Sequence, residues 1–450
     1  MARLRPGLAR LVRAAIRAAG RGGTTAPGRF LLAIDRGAIR ELGGRLGGGV
    51  VLVSATNGKT TTASMIAAAL ERADTPVVRN RAGSNMHWGV ATALLDAGRS
   101  PDELGLFEVD EAWLERMADE LDPRMLVLSN LFRDQLDRYG ELETLADRWA
   151  EVTAARDGRS DLVLCADDPL VADLGRDRSR VTYFGVDDDS LALPELQHAA
   201  DSKHCRRCGH PYVYDAIYMG HLGHYRCTNC GRRRPDADVA AERVVLHGMA
   251  GSTIHMRTPA GRTEVELPLP GLYNVYNALA ATAAALGLGA MLEQVAAALG
   301  RLDAVFGRVE RIPVGGRDLA ILLVKNPAGA NEVLRTLTLE EGSLDLWLAL
   351  NDRIADGRDV SWIWDADFEL LTGRVARVTC SGTRAEEMAL RLKYAGIDAP
   401  IATDRDLGRS LDAALAAGDG KPLYALPTYT ALLDLRDRLA DRGVARRWSE

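Results

Sequence analysis

Gly49-Val50-Val51-Leu52-Val53-Ser54-Ala55-Thr56-Asn57-Gly58-Lys59-Thr60-Thr61 is the stretch on which the reading of this chain turns. Residues 49–54 are a short apolar run that predicts a buried strand, and residues 60–73 predict the helix that follows it. Between them lies a Gly-Lys-Thr loop in the setting a phosphate-binding loop requires, after a strand and before a helix. Backbone N–H groups at a helix start can cradle phosphate oxygens. Lys59 would reach the β- and γ-phosphates, and the Thr60 hydroxyl would bind Mg²⁺. Thr56, Asn57, Gly58, Lys59, Thr60 and Thr61 are therefore the candidate ATP-binding residues of this segment.

Working outward, strand signals at 104–109, 125–129 and 161–165 alternate with helical stretches, which predicts a parallel sheet covered on both faces. Glu108, Asp110 and Glu111 stand at the end of the first of these strands, where open α/β sheets gather their ligands. An acid there can share the Mg²⁺ of Thr60, and Glu108 is the favoured one; solvated surface acids are the alternative.

The alternation breaks near residue 190. The segment 198–235 is polar and turn-rich and carries Cys205-x-x-Cys208, eighteen residues, then Cys227-x-x-Cys230. Two such pairs supply the four thiolates of a closed tetrahedral Zn²⁺ site, which is structural rather than catalytic; a redox dithiol pair is the alternative. His204, His210, His221 and His224 lie nearby, but four thiolates already fill the shell. Short strands are expected at 243–246 and 263–267, and a helix at 277–286. A second α/β unit covers 315–440, with strands at 319–324, 344–350, 375–379 and 422–426. After the second of these comes a dense polar run with Asp352, Asp356, Asp359 and Asp365, which also contains Trp362 and Trp364. No Gly-x-Cys-x-Gly or Gly-x-Ser-x-Gly nucleophile elbow occurs, and Cys380 reads as a core thiol.

The chain has 450 residues, 47% hydrophobic and 26% charged, which suits two or three domains each with its own core. Its net charge of −6 provides no global field for nucleic acid. Six cysteines in this pattern are no secreted disulfide framework, so a reducing cytoplasm is expected. Arginines at 3, 5, 10, 13, 17 and 21 alternate with apolar residues. A basic helix that touches the inner face of the membrane and a helix packed on the main domain both fit this pattern.

Taken together, these motifs resemble the Mur ligase family, which joins carboxylates to amines through acyl-phosphates. The resemblance rests on Thr56-Asn57-Gly58-Lys59-Thr60, on Glu108 in Glu108-Val109-Asp110-Glu111, and on the run from Asn130 to Gly140. It continues in Asn274-Val275-Tyr276-Asn277 and Gly307-Arg308-Val309-Glu310. It implies ATP contacts for Asn274, Asn277 and Arg308. Ala55 stands where the family usually has Gly, and Gln135 and Tyr139 where many relatives have His.

A narrower resemblance is carried by the four-cysteine insertion, by Lys325-Asn326-Pro327-Ala328-Gly329-Ala330-Asn331, and by Asn351 to Asp365. It points to the branch of the family that works with a GatD-like glutaminase. In that branch ATP phosphorylates the α-carboxyl of D-glutamate in the lipid II stem peptide, and ammonia from the partner leaves D-isoglutamine. It further implies that one aspartate of the run completes the partner's Cys–His site. Asp356 and Asp359 are favoured because Gly357 permits a sharp turn between them, and Asp352 is open to a place in the ATP pocket.

The expected architecture is α/β. A basic extension covers 1–40, a P-loop Mur ligase-type central domain with a parallel-rich sheet and zinc-ribbon insertion covers 41–310, and a Rossmann-like domain with the partner interface covers 311–450. About 50 residues precede the P-loop, so no N-terminal UDP-binding domain is expected, which favours a lipid-linked substrate. A ligase that adds an amino acid, as folylpolyglutamate synthase does, is the alternative within this chemistry. A zinc-ribbon nucleic-acid module with an NTPase motor is the alternative outside it, set against the acidic balance of the chain.

Overall fold

The computed structural model describes residues 25–80, 83–98, 100–134, 142–197, 200–302, 308–418 and 420–445, with 308 and 309 described by backbone alone. The basic segment expected to form an N-terminal helix, Gln135 and Tyr139, and the side chain of Arg308 lie outside the described residues.

The first sheet grows from β1 (Val50–Ser54), whose five residues are all buried. A continuous Val/Leu run of this kind suits a strand covered on both faces. β2 (Val77–Arg79), β3 (Leu104–Glu108), β4 (Met125–Leu128), β5 (Asp161–Cys165) and β6 (Val181–Val186) join it, all parallel, in the order β6-β5-β4-β1-β3-β2. The chain then forms an antiparallel hairpin apart from the sheet, β7 (Val213–Met219) and β8 (Leu222–Arg226). It returns with β9 (Val239–Leu246), parallel to β6, and ends in an antiparallel edge of β10 (Ser252–Thr258) and β11 (Gly261–Leu267), which makes nine strands. The second sheet comprises β12 (Arg308–Val314), β13 (Arg317–Leu322), β14 (Leu344–Ala349), β15 (Val375–Ser381), β16 (Ile401–Thr403) and β17 (Leu423–Pro427), in the order β12-β13-β17-β14-β15-β16, with only β12–β13 antiparallel. It begins at Arg308, a few residues ahead of the expected break after 310.

Two features position the site. β1 sits between β4 and β3, so the loop after it opens at the carboxyl ends of central strands. Behind that loop, the helix Leu272–Gly287 packs on the helix Lys59–Arg72 and is buried over most of its length, its Ala-rich face allowing close approach. Cys380 is buried in the second core, and burial pushes its thiol up to about 12.

Candidate nucleotide cleft and four-cysteine centre

The loop after β1 is held from three sides. Gly58 has φ +90°, a left-handed conformation that costs glycine little, and a Cβ there would meet Asn277 Oδ1 at 2.0 Å. Asn130, just past β4, clasps the next residue along both edges: Asn57 N–H donates to Asn130 Oδ1 (2.9 Å) and Asn130 Nδ2 donates to the Asn57 carbonyl (3.0 Å). From the second sheet's domain, Asn326 Nδ2 donates to Asn57 Oδ1 (3.1 Å) and Asn57 Nδ2 donates back to Asn326 Oδ1 (3.3 Å). The loop therefore has a rigid frame, and the first-turn amides of the helix Lys59–Arg72 lack intrahelical partners.

Lys59 is buried, and its ammonium donates to Glu111 Oε2 at 2.7 Å and to the Ala55 carbonyl. Burial acts to lower the Lys59 pKa, but the Glu111 and Asp110 carboxylates outweigh it and leave the ammonium above its ordinary range. Burial likewise acts to raise Glu111, and Lys59 with Lys325 brings it below the usual carboxylate range. Lys325 arrives from the second domain, donating to the Thr56 carbonyl at 3.1 Å and pairing with Asp134.

The sequence-derived residues gather here. Thr60 and Thr61 are buried at the helix start. Asn277 Oδ1 accepts from Thr62 (3.2 Å), and Asn277 Nδ2 donates to Asn274 Oδ1 (3.1 Å), whose own amide is anchored on the Pro270 carbonyl (2.8 Å). Glu108 is buried at the end of β3, level with Val53 of β1, and its backbone is fixed on both sides by Asn80. No cation pairs with the Glu108 carboxylate among the described residues. Of the three acids at this strand end, Glu111 is the one that meets Lys59.

A cleft opens between the domains. Asn57, Gly58, Thr61, Asn130 and Asn277 are among its polar lining residues; Met219, Leu322, Leu323, Ala328 and Val333 are among its apolar ones, and Glu332 lines it too. Asn274 is one helical turn back and supports Asn277 rather than lining the cleft. Sequence reasoning assigned no role to Lys325, Asn326, Glu332 or Met219. Lys325 and Asn326 lie in the segment that carries the narrower resemblance, and Asn326-Pro327 offers a local signal, because Asn before Pro caps a helix start: Asn326 Oδ1 accepts from Gly329 N–H (2.9 Å).

The four cysteines converge. Their sulfurs all lie within 4.8 Å of one another, with Cys205–Cys230 at 3.6 Å and Cys208–Cys227 at 3.5 Å. Two knuckle turns create this geometry. Gly209 and Gly231 (φ +70° and +73°) donate back to the Cys205 and Cys227 carbonyls at 2.8 and 3.0 Å. Four unbridged thiols at this spacing fit a tetrahedral Zn²⁺ site. Among the described residues no other cluster of metal-ligating side chains forms. The histidines do other work: His221 is buried 3.4 Å from Asp168, and His224 Nε2 lies 2.9 Å from the Val186 carbonyl. Arg206, Arg226, Arg232 and Arg234 are all engaged by aspartates, so these ribbon arginines form no open basic track.

The acidic run after β14 divides into inward and outward carboxylates. Asp356 is buried and accepts from the Thr430 N–H (2.7 Å) and hydroxyl; burial holds its carboxyl above the ordinary range against those bonds. Asp359 is exposed, and the Ser361 N–H (2.8 Å) holds its carboxyl low. Asp352 is tied to Thr383 (2.7 Å) and Arg384 (2.8 Å), away from the cleft lining, and Asp365 faces Arg133 at 3.5 Å. The run also exposes apolar side chains: Ile354 is 73% exposed, and Trp364 packs on Tyr394, itself 73% exposed, with ring centroids 5.6 Å apart.

Comparison with known proteins agrees with this geometry. The family model of the Mur ligase middle domain matches residues 53–230, and that of the MurT ligase C-terminal domain matches 323–432. The chain is 32% identical, over 96% of each chain, to the lipid II isoglutaminyl synthase (glutamine-hydrolyzing) subunit MurT of Staphylococcus aureus strain N315. It is 33% identical, over 94% of each, to the subunit of that name from Streptococcus pneumoniae strain R6. In fold it is similar to a pseudomurein peptide ligase type C from Methanothermus fervidus, with TM-score 0.68 and 22% identity, covering 88% of this chain and 79% of that one.

Proposed function

This chain belongs to the MurT family of Mur ligase-type synthetases, and from that premise we propose that it forms the amide in a glutamine-hydrolysing lipid II isoglutaminyl synthase. The observation that carries the proposal is full-length similarity to MurT subunits combined with a framed P-loop at the mouth of a two-domain cleft. A ligase that adds an amino acid has a partial likeness behind it, 30% identity over 59% of this chain to a UDP-N-acetylmuramate--L-alanine ligase, against 96% for the MurT subunit.

ATP would lie with its phosphates on the amides of residues 58–61. Lys59 exchanges Glu111 for the phosphates, where charge builds during transfer. Thr60 and Glu108 would hold Mg²⁺, which would offset phosphate charge; both are buried at the loop. Asn277, supported by Asn274, faces the nucleotide, with Arg308 joining by family resemblance. An oxygen of the D-glutamate α-carboxylate attacks the γ-phosphorus and ADP leaves. Ammonia then attacks the acyl carbon and phosphate leaves, giving D-isoglutamine.

The ammonia comes from a GatD-like glutaminase seated on the second domain. Its place is supported by the exposed Ile354, Trp364 and Tyr394 beside the acidic run. Asp359, outward-facing, or Asp356, held inward by Thr430, orients the partner's histidine. The four-cysteine centre holds a structural Zn²⁺. No described helix is long and apolar enough to cross a membrane, so lipid II would be met at the membrane surface.

The test is reconstitution with the glutaminase. Lipid II, ATP and glutamine should yield a product one mass unit lighter at the D-glutamate, with ADP released in equal amount. Product without ADP, or ADP without product, refutes the reading.

A further inference from the structure

We propose that the four-cysteine insertion is a working wall of the nucleotide cleft, and that Glu332, held by it through Arg335, selects adenine over guanine. The proposal rests on the reading of this cleft as the ATP site.

The lining combines polar and apolar groups. Besides Tyr273 and Tyr276 it includes the apolar Met219, Leu322, Leu323 and Val333, a slot suited to the faces of a purine. Met219 is the last residue of β7 and so belongs to the insertion, although the rest of the slot comes from the second domain. The tip is firmly seated. Gly220 turns the chain with φ +58° and donates to Gln197 Oε1 at 2.7 Å, and a Cβ there would meet the Phe132 ring at 2.8 Å. The other end of the hairpin is closed by the cysteines, since β8 ends at Arg226 and Cys227 follows.

Glu332 is the polar group in this slot. It is 2% exposed, yet it lines the cleft. One oxygen accepts from Arg335 Nη1 at 2.9 Å; the second has no hydrogen-bond partner among the described residues. Arg335 Nη1 also donates to the Tyr218 carbonyl at 2.7 Å, so main chain of the insertion fixes the guanidinium that orients the acid. An oriented acceptor in a slot of low dielectric favours a base edge that presents an amine. Adenine offers its exocyclic N–H₂; guanine offers a carbonyl oxygen at that position, which would leave two facing acceptors unsatisfied.

The experiment compares equilibrium binding of ATP and GTP, and their KM values, in the intact complex with its glutaminase. Wild type should prefer ATP by about a hundredfold or more. Glu332→Gln, which can donate as well as accept, should bring that ratio down about tenfold or more, with the change in KM rather than kcat. Met219→Ala should weaken both nucleotides alike and Met219→Leu should restore them, with zinc content unchanged. A wild-type ATP:GTP ratio in Glu332→Gln overturns the assignment of Glu332, and unaltered binding in Met219→Ala overturns the wall. Should Glu332→Gln not fold, the wild-type ratio decides: an ATP:GTP preference near one overturns the assignment of Glu332, and the Met219 pair still tests the wall. Lys59→Ala separates the levels: if it binds ATP like wild type, the cleft reading itself is wrong; if it loses ATP while Glu332 and Met219 variants behave as wild type, only this inference falls.

Discussion

The Lys59 ammonium lies 2.7 Å from the Glu111 carboxylate, both side chains less than a tenth exposed. A buried cation in a nucleotide-free loop needs a counter-charge, and Glu111 supplies it until phosphates compete for the same ammonium. Removing one partner of such a pair strands the other, which costs roughly 3–5 kcal/mol. Lys59→Ala should therefore be inactive and also less stable by about that amount. Lys59→Ala/Glu111→Gln should regain most of the stability and none of the turnover. Chemical denaturation beside ADP release checks both; a double variant no more stable than the single one would refute the account.

Zinc is expected at one ion per chain, bound by Cys205, Cys208, Cys227 and Cys230. Structural Zn²⁺ binding supplies about 10–16 kcal/mol of apparent free energy, so its loss should unfold the insertion locally. In Cys227→Ser the amides of β7 and β8 should exchange with solvent, while those of β14 and β17 keep their protection. Hydrogen exchange with metal analysis tests this, and zinc-free protein with β7–β8 still protected would sink it.

The two aspartates of the acidic run should separate. Asp359→Asn is expected to cut glutamine-dependent amidation about a hundredfold or more, leaving assembly and ammonia-driven amidation intact. Asp356→Asn weakens two bonds to Thr430 and should cost about 1–3 kcal/mol in stability. If a folded Asp356→Asn complex alone loses glutaminase activity, Asp356 is the residue; full activity in both ends the idea of a shared site.

His224 confers a pH dependence. Burial works against its cation, but the Asp187 carboxylate 3.6 Å away prevails and raises its pKa, with Arg234 opposing and Asp167 assisting. The same pairing, with Arg234 assisting, holds Asp187 down at about 2. The His224 contribution is complete below the unfolded value of about 6.5 and is lost as pH rises through the higher folded value. The Asp187 contribution is present above about 4 and lost as pH falls through about 2. Asp187→Asn should abolish the slope above pH 6.5. An unchanged slope in that variant, measured by denaturation at a series of pH values, would show that another group carries it.

Much of this was legible in the sequence, for identifiable reasons. β1, β4 and β14 are short apolar runs, and a parallel strand buried on both faces has that signature. The four-cysteine centre was legible because spacing alone brings the thiolates together. β10 was missed although its burial alternates strictly along Ser252–Thr258, because only Ile254 and Met256 of its inward positions are apolar while Ser252 and Thr258 are not. β7 and β8 lay inside a segment read only as turns. The second domain's contribution to the cleft could not be read at all: Asn57 and Asn326 are 269 residues apart, and no local pattern encodes such a pairing. Nor could spacing tell Asp356 from Asp359, since a loop has no periodicity to sort inward from outward.

The reciprocal amide bonds between Asn57 and Asn326 have a thermodynamic consequence. They tie a residue of the Gly-Lys-Thr loop to the domain that carries the acidic run. A nucleotide that strengthens or breaks that tie changes the free energy of holding the two domains together. Linkage makes the effect mutual: whatever factor the nucleotide imposes on a protein gripping the second domain, that protein must return to the nucleotide. Two amide side chains thus bridge the two surfaces, and any coupling free energy carried across them is one quantity shared by both ligands.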